Sequence, residues 1–300
     1  QDELNNLKSI IANKHEYYLD IAIDYGNAGL YEDAINVLKW YVDETAEQSI
    51  FPINLYYLGY YYAKLGNDEL AKFYYSKAAD LGTDYCLHSR LESIEVLKHA
   101  LDFNTADTKA PYYLGNIYYG KHNYSNAIRY FEISIERGAD FPTVYRNLAI
   151  GYYDKLGKRK EAGELIRKAF ELDPADARVF YELMQYNRNT NMPLKDRLKL
   201  LEENVDLVKI RDDHYIKLIS TYIEDKQYKK AISLLKDHTF HPYEGGEGVL
   251  VREHIWAHIF MGLEYLRKGN TKKALELFID AATIPKNYNE AQWPMRYEHA

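Results

Sequence analysis

The sequence predicts an all-α protein, an α-solenoid in which about seven helix pairs stack into a right-handed superhelix. Two observations lead to this class. Leucine, a small residue and tyrosine recur in one order and at one spacing along nearly the whole chain of 300 residues. No segment has the apolar–polar alternation that is typical of a half-buried strand. We expect a single domain over residues 1–300, irregular at 82–108, where one repeat is shortened, and at 239–248, where a loop is inserted.

The repeat is clearest in four copies, which start at Leu58, Leu114, Leu148 and Met261. Each opens with Leu-Gly-x-x-Tyr or a close variant, as in LGYYYAKLGNDELAKFYYSKA and LGNIYYGKHNYSNAIRYF. The copy at Leu148 has one inserted residue near Gly157. Weaker copies start near His15 and Asp212, and a degenerate copy covers residues 183–201. Only one helix, at about 89–101, fits the shortened repeat, because that segment is too short for a pair.

The spacing inside one copy predicts two packed helices. Leu114, Gly115 and Tyr118 lie on one stripe of a first helix, and Ala127 and Phe131 form the matching stripe of a second. The small residues let the helix axes approach, and the rings fill the space beside them. One pair cannot bury its apolar face alone, so neighbouring pairs stack. The junctions are marked by prolines, which a first helical turn tolerates: Pro52, Pro111, Pro142 and Pro174.

This pattern resembles the tetratricopeptide repeat, whose period is about 34 residues. The resemblance covers nearly the whole chain, and six or seven copies in register (about one every 34 residues) make it specific. It implies a concave face lined by the first helix of each pair, and it implies binding of a peptide or a protein surface rather than catalysis.

The residues at inward-facing positions of the first helices are mostly tyrosines, amides and arginines. Such groups stack on a partner, donate hydrogen bonds and pair with carboxylates. They form our predicted binding groove: Tyr56, Tyr60, Tyr112, Asn116, Tyr119, Arg146, Asn147, Tyr153, Arg178, Tyr181, Gln185 and Arg188. Some members of the family hold a peptide's C-terminal carboxylate in a clamp of lysine, asparagine and arginine. Asn116 and Asn147 match two clamp positions, but Tyr112 occupies the place of the first lysine. The alternative is that many of these tyrosines pack against neighbouring helices.

Composition excludes several function classes. The net charge of −7 disfavours a nucleic acid or an anionic membrane as the main partner. No apolar run is long enough to span a bilayer. The first residues, QDELNNLKSI, lack the basic and apolar regions of a signal peptide, and the absence of a starting Met suggests a processed chain or a fragment. The single cysteine, Cys86, permits neither an intrachain disulfide nor a cysteine-based zinc site.

The stretch FHPYEGGEG, residues 240–248, interrupts the repeats. It ends without the Lys-Ser/Thr of a phosphate-binding loop. His241, Glu244 and Glu247 are potential metal ligands, but they lack a fourth partner. We favour a connector that Phe240 and Tyr243 anchor against the repeat ends. On the following helix, His254 and His258 have the i, i+4 spacing of metal ligands. We favour packed or solvated histidines there, and we expect neither a catalytic residue nor a cofactor.

The order of the less regular segments also resembles one particular family. These segments are SRLESIEVLKHAL, YYLGNIYYGKHNYSNAI, FPTVYRNLAIGYYDKLG, LLEENVDLVKIRDD and FHPYEGGEG. The family consists of large bacterial proteins of unassigned function, with a β-rich, mutarotase-like domain followed by a helical repeat region. The resemblance implies that this chain is that C-terminal region and that it packs on a carbohydrate-related domain.

We therefore expect a non-enzymatic interaction scaffold that binds a peptide, a partner protein or its own missing N-terminal domain. The alternative is an accessory helical module of a carbohydrate-active or sugar-binding protein, in which tyrosines and asparagines contact a sugar. A homo-oligomeric assembly unit is a third possibility.

Overall fold

The computed structural model of the chain describes residues 14–83, 86, 89–241, 246 and 248–289. Throughout these residues the α-helix is the dominant element and no strand is present, so the predicted all-α class is confirmed. The Cα positions form two compact units that divide between Leu172 and Asp173. A single domain over residues 1–300 stays a prediction.

The first unit has nine α-helices in its described residues, and eight of them are packed in successive pairs. The pairs are α1 (His15–Asn27) with α2 (Tyr31–Glu44), α3 (Pro52–Lys64) with α4 (Asp68–Asp80), α6 (Lys109–Gly120) with α7 (Tyr124–Glu136), and α8 (Pro142–Gly151) with α9 (Arg159–Leu172). The unpaired helix, α5 (Glu92–Phe103), packs on α3 and α6. It occupies the segment for which the sequence predicts one helix at about 89–101.

The second unit has seven α-helices in its described residues. They are α10 (Ala177–Asn189), α11 (Leu194–Glu203), the short α12 (Val205–Val208), α13 (Asp212–Glu224), α14 (Tyr228–Asp237), α15 (Val249–Arg267) and α16 (Thr271–Ala281). Helix α13 packs on α14 and α15 packs on α16, while α13 and α15 also contact each other. A 3₁₀ turn, Lys286–Tyr288, follows the last pair.

The turn between the two helices of a repeat has the same backbone conformation in six copies. One residue there adopts the left-handed region, with φ between 59° and 77°. Glycine adopts this region without steric cost, whereas other residues do so at a modest one. The residues concerned all fall at the same position of their copies: Gly29, Gly66, His122, Asn191, Lys226 and Gly269. The weak and degenerate copies therefore keep the register of the clear ones.

The copy that starts at Leu148 contains one residue too many, and the structure accommodates it in a turn of π-helix. Tyr152–Leu156 forms this turn directly after α8, and Gly157 ends it with a φ of 65°. A π-helical turn holds one more residue per hydrogen-bonded ring than an α-helical turn. The inserted residue is thus absorbed inside the first helix, and α9 begins in its usual place.

Small residues bring the paired helices into close contact, as the spacing predicts. A Cβ atom placed on Gly59 would lie 2.6 Å from the ring of Tyr75, and Gly115 and Gly262 face phenylalanine rings in the same way. Paired tyrosines stack beside this contact in two copies, with centroid distances of 5.4 Å for Tyr62–Tyr74 and 5.5 Å for Tyr118–Tyr130.

Many of the 31 tyrosines belong to the core rather than to the surface. Their rings are buried, and several of their hydroxyls form hydrogen bonds to other elements, which compensate the lost hydration. Tyr57 bonds to Ser93 Oγ at 3.1 Å and Tyr75 to His99 Nδ1 at 3.0 Å. The tyrosine-rich composition therefore holds α5 against α3 and α4.

Candidate functional site

Three of the predicted groove tyrosines lie in the core of the first unit. Tyr56 is 0% exposed, and its hydroxyl donates to Asp107 Oδ2 at 2.8 Å. Tyr112 is 5% exposed, and Tyr60, at 9%, donates to Glu95 on α5. The unpaired helix α5 packs on this part of α3 and covers it. The predicted groove is therefore corrected at these three positions, because the buried rings offer a partner little or no surface.

Asn116, Arg146 and Asn147 form a hydrogen-bonded ladder in the first unit. The Asn147 amide donates to Asn116 Oδ1 at 2.9 Å, and Arg146 Nη1 donates to Asn147 Oδ1 at 2.9 Å. All three side chains are half-buried. The Asn116 Nδ2 group is buried and has no hydrogen-bond partner among the described residues. Both amide oxygens of the ladder thus accept a hydrogen bond from within it.

Tyr119 and Tyr153, the other two predicted groove residues of the first unit, are half-buried. The ring of Tyr119 packs edge-on against Tyr124 at 5.1 Å, and the Arg159 guanidinium lies 5.7 Å from the centre of the Tyr153 ring. The predicted groove residues of the first unit are therefore largely engaged by their own neighbours.

The four predicted residues of the second unit lie on α10 but behave differently from one another. Arg178 is exposed and pairs with Glu182 at 3.5 Å, and Gln185 is exposed. Tyr181 and Arg188, in contrast, line a pocket of about 640 Å³ inside the second unit. Cavities of about 300–1,000 Å³ are typical of binding sites. We refer to this cavity as the α13–α15 pocket.

The walls of the α13–α15 pocket come mainly from the two helices that name it. Helix α13 supplies Asp213, Ile216, Lys217, Ser220, Ile223 and Glu224, and α15 supplies Val249, Arg252, Glu253, Trp256 and Phe260. Trp256 is 44% exposed and Phe260 is 39% exposed. They are one helical turn apart, so both rings face the same side of α15. Tyr228, at the start of α14, lies 5.9 Å from Phe260 between ring centres.

The carboxylates of this pocket are paired with arginines. Asp213 accepts two hydrogen bonds from Arg211, at 3.0 and 2.7 Å. Glu224 lies 3.3 Å from Arg188 and 3.0 Å from Arg197, and Glu253 lies 2.8 Å from Arg252. Hydrogen bonding to Asp213 raises the pKa of Arg211, so the guanidinium stays charged.

The pocket residues of α13 and α15 are absent from the predicted groove, although the repeat register contains the signal that identifies them. Lys217 occupies the position in its copy that Asn147 occupies in the copy at Leu148, one residue before Leu218. Phe260 likewise precedes Met261. The predicted groove ended at Arg188, although the copies near Asp212 and at Met261 keep the backbone register of the earlier ones.

The connector around FHPYEGGEG is anchored at its start. Phe240 is 1% exposed and packs against Tyr215, His238 and Tyr288. Its backbone N–H donates to the Asn287 carbonyl at 2.9 Å. Pro242, Tyr243, Glu244, Gly245 and Glu247 lie outside the described residues, so the predicted anchoring role of Tyr243 stays a prediction.

Asp212, at the start of α13, also holds this segment. One carboxylate oxygen bonds to His238 Nε2 at 2.6 Å, and the other accepts the backbone N–H of His241 at 2.7 Å. Burial raises the pKa of Asp212, but these hydrogen bonds outweigh it, and the pKa lies below its usual range.

His254 and His258 are buried and bonded to protein groups. His254 contacts the Tyr288 hydroxyl and the Asp280 carbonyl, each at 2.9 Å, and His258 Nδ1 donates to the His254 carbonyl at 2.8 Å. Burial lowers the pKa of both imidazoles, so they are neutral and packed. In the described part of the chain, no three His, Cys, Asp or Glu residues are arranged to hold a metal ion.

The helices in these same residues include none with the length and apolar character needed to cross a bilayer.

Comparison with known proteins supports the repeats. The tetratricopeptide repeat family model matches residues 54–81 and 147–176. One similar solved structure is YrrB, described as a TPR protein with an unusual peptide-binding site. It is 18% identical, the match covers 73% of this chain and 95% of that chain, and the TM-score is 0.41. A second is the C-terminal part of a TPR repeat-containing protein from Cytophaga hutchinsonii. It is 18% identical, the match covers 97% of this chain and 93% of that chain, and the TM-score is 0.35. A third is MamA from Desulfovibrio magneticus RS-1. It is 20% identical, the match covers 66% of this chain and 97% of that chain, and the TM-score is 0.36. The chain thus carries tetratricopeptide repeats.

Proposed function

We propose that this chain is a non-enzymatic interaction scaffold that binds a peptide or a partner surface in the α13–α15 pocket. The observation that carries the proposal is the pair of exposed rings, Trp256 and Phe260, set beside charged groups in one concave site. Large exposed apolar groups in a cavity lose unfavourable contact with water when a partner covers them.

The kinds of residue in the pocket support this assignment. Tryptophan, tyrosine and arginine are the side chains that most often dominate the energy of a protein interface. Here Trp256, Tyr181 and Arg188 come from two separate helices and meet in one cavity. The helices are held by packing within the unit, so a partner meets a preformed surface and less conformational entropy is lost on binding.

The groove predicted on the first unit becomes a secondary part of this proposal. Asn116 retains one buried amide donor without a hydrogen-bond partner among the described residues, and Tyr119 and Tyr153 keep part of their rings exposed. The partner is a peptide, a loop or another domain of a longer polypeptide. The mutarotase-like domain that the sequence resemblance implies remains a proposal of this kind.

Selection from a display library of random peptides tests the proposed function. Wild-type chain should enrich a defined set of sequences that bind measurably in solution. Trp256→Ala and Phe260→Ala should lose them, whereas Leu275→Ala, an exposed apolar residue on α16, should keep them. If no sequence is enriched, or if Trp256→Ala and Phe260→Ala bind as wild type does, the proposed site is wrong.

The carbohydrate-related alternative is tested by a glycan array on the same chain. The guanidinium of Arg252 lies 5.0 Å from the centre of the Trp256 ring and covers one of its faces. Stacking of a sugar on that face would require this contact to open. We therefore expect no glycan to compete with a selected peptide, and competition would favour the alternative.

A further inference from the structure

Lys217 is a half-buried cation of the α13–α15 pocket without a counter-ion among the described residues, whereas Lys226, which also lines the pocket, is exposed to solvent. Lys217 lies on the pocket side of α13. Its ammonium makes no hydrogen bond or ion pair with any residue that the structure describes, whereas Arg188 and Arg252 in the same wall each pair with a glutamate. A half-buried charge of this kind has lost part of its hydration, and no direct hydrogen bond or ion pair replaces it.

The acidic groups near Lys217 are already committed. Glu224 is held between Arg188 and Arg197, and Glu253 is paired with Arg252. Asp213 receives a bidentate pair of hydrogen bonds from Arg211. A bidentate arginine contact with a carboxylate is stronger than a single contact with a lysine. In the structure each of these carboxylates contacts an arginine, and none of them forms an ion pair with Lys217.

Burial, and then the positive charge of Arg188, lower the pKa of Lys217 more than the carboxylates of Glu253 and Glu224 raise it. The two lowering effects act against the charged form, and a carboxylate brought next to the ammonium would reverse them. The pocket thus favours an incoming negative charge at this place over an incoming neutral group.

Apolar surface lies in the same pocket. Trp256 and Phe260 line it from α15, and Ile216 and Ile223 line it from α13. In an extended peptide, side chains on one face are about 7 Å apart, which is close to the spacing of one helical turn along α15. A ligand with one acidic and one apolar side chain therefore matches the chemistry on both helices.

We propose that the α13–α15 pocket binds a peptide segment in which an aspartate or glutamate lies close to a large apolar residue. The carboxylate pairs with Lys217, and the apolar side chain packs on Trp256 and Phe260. This inference rests on the proposed function. The net charge of the chain is −7, so its overall field does not attract an acidic peptide, and selectivity comes from the short-range contact with Lys217.

The test uses peptides enriched by the wild-type chain and isothermal titration calorimetry. Enriched sequences should contain Asp or Glu near a large apolar residue. Lys217→Met keeps a side chain of similar length without its charge, and we expect it to weaken binding about 10- to 100-fold, as loss of a charged hydrogen bond does. Lys209→Met, which removes an exposed lysine outside the pocket, should bind as wild type does.

A double-mutant cycle with a peptide that carries Gln in place of Glu, or Asn in place of Asp, isolates the ion pair. The peptide change should weaken binding to wild type but have little further effect on Lys217→Met. Enriched peptides without an acidic residue, or additive effects of the two changes, would overturn this inference while leaving the proposed function intact. A library that yields no binding sequence would overturn the proposed function instead.

Discussion

The first helices of the two units carry comparable side chains but use them in opposite ways. In the first unit, Tyr56 is buried and bonded to Asp107, and Asn116, Arg146 and Asn147 bond to one another. In the second unit, Trp256 and Phe260 remain exposed in the α13–α15 pocket. Aromatic and polar residues at inward-facing repeat positions therefore do not by themselves define a binding surface. Such side chains can contact a partner only where neighbouring helices have not already covered them or taken up their hydrogen bonds.

The unpaired helix α5 accounts for part of this difference. It packs on α3 and contributes Ser93, Glu95 and His99 as hydrogen-bond partners for tyrosines of α3 and α4. In the second unit, α13 and α15 contact each other directly, and the aromatic side chains of α15 stay on an open face.

The largest expected difference between the units concerns stability. Tyr56→Ala removes a fully buried ring and should lower the free energy of unfolding by about 3–5 kcal/mol. Trp256→Ala removes a ring that is 44% exposed and should cost well under half of that. Urea denaturation monitored by circular dichroism measures both. Equal losses would contradict the distinction between a core residue and a pocket residue.

The second unit should be the more acid-sensitive one. It contains three buried histidines, His214, His254 and His258, whose pKa values are lowered by burial. Because the folded-state pKa lies below the unfolded value, the neutral ring stabilises the fold at and above pH 6.5, and this contribution is lost as the pH falls. For His214, with a pKa of about 4, the loss at pH 4 is about 3 kcal/mol.

Variants with a single tryptophan distinguish the units in this experiment. Trp40 reports on the first unit and Trp256 on the second, after Trp293 and the other tryptophan are replaced by Phe. The first unit has one described histidine with a lowered pKa, the half-buried His15. Between pH 7 and pH 4, the melting temperature reported by Trp256 should fall more than the one reported by Trp40. His214→Phe should reduce the fall reported by Trp256. A greater loss in the first unit would contradict this view.

The Asp107 carboxylate should contribute to the stability of the first unit to an intermediate extent. It accepts the Tyr56 hydroxyl at 2.8 Å and the backbone N–H groups of Lys109 and Ala110 at 2.7 and 3.0 Å. Asp107→Ala leaves these buried donors unpaired and should cost about 1–3 kcal/mol in urea denaturation. Asp102→Ala, at an exposed position of α5, is the control and should change little.

A substitution in the ladder of Asn116, Arg146 and Asn147 should have the smallest effect on stability and on peptide affinity. Asn147→Ala removes two half-buried hydrogen bonds and should cost about 1 kcal/mol of stability, while peptide affinity changes by less than about twofold. Calorimetric titration with a selected peptide measures the second quantity. A strong loss of affinity would place the ladder inside the binding site and remove the contrast between the units.

The repeat pattern predicted the helix pairs well because it depends on local spacing. The leucine–glycine–tyrosine stripe determines which face is buried, and even the extra residue near Gly157 could be located, although not its accommodation as a π-helical turn. The exposure of individual tyrosines could not be predicted. Tyr60 bonds to Glu95 on α5, and Tyr56 bonds to Asp107 in the segment after α5, so their burial depends on contacts between residues distant in sequence.

The candidate site was predicted only at its edge. Tyr181 and Arg188 were identified from the sequence, whereas Lys217, Trp256 and Phe260 were overlooked, although Phe260 directly precedes the clear copy at Met261. That Lys217 lacks a counter-ion could not be read from the sequence, since it depends on which arginines reach Glu224 and Glu253.

One titration tests the central claim most directly, namely that the binding surface lies in the second unit. The dissociation constant of a library-selected peptide is measured for wild type, Phe260→Ala and Tyr119→Ala. We predict at least about a tenfold weakening for Phe260→Ala and a change of less than about twofold for Tyr119→Ala. A loss confined to Tyr119→Ala would contradict the account and assign binding to the first unit.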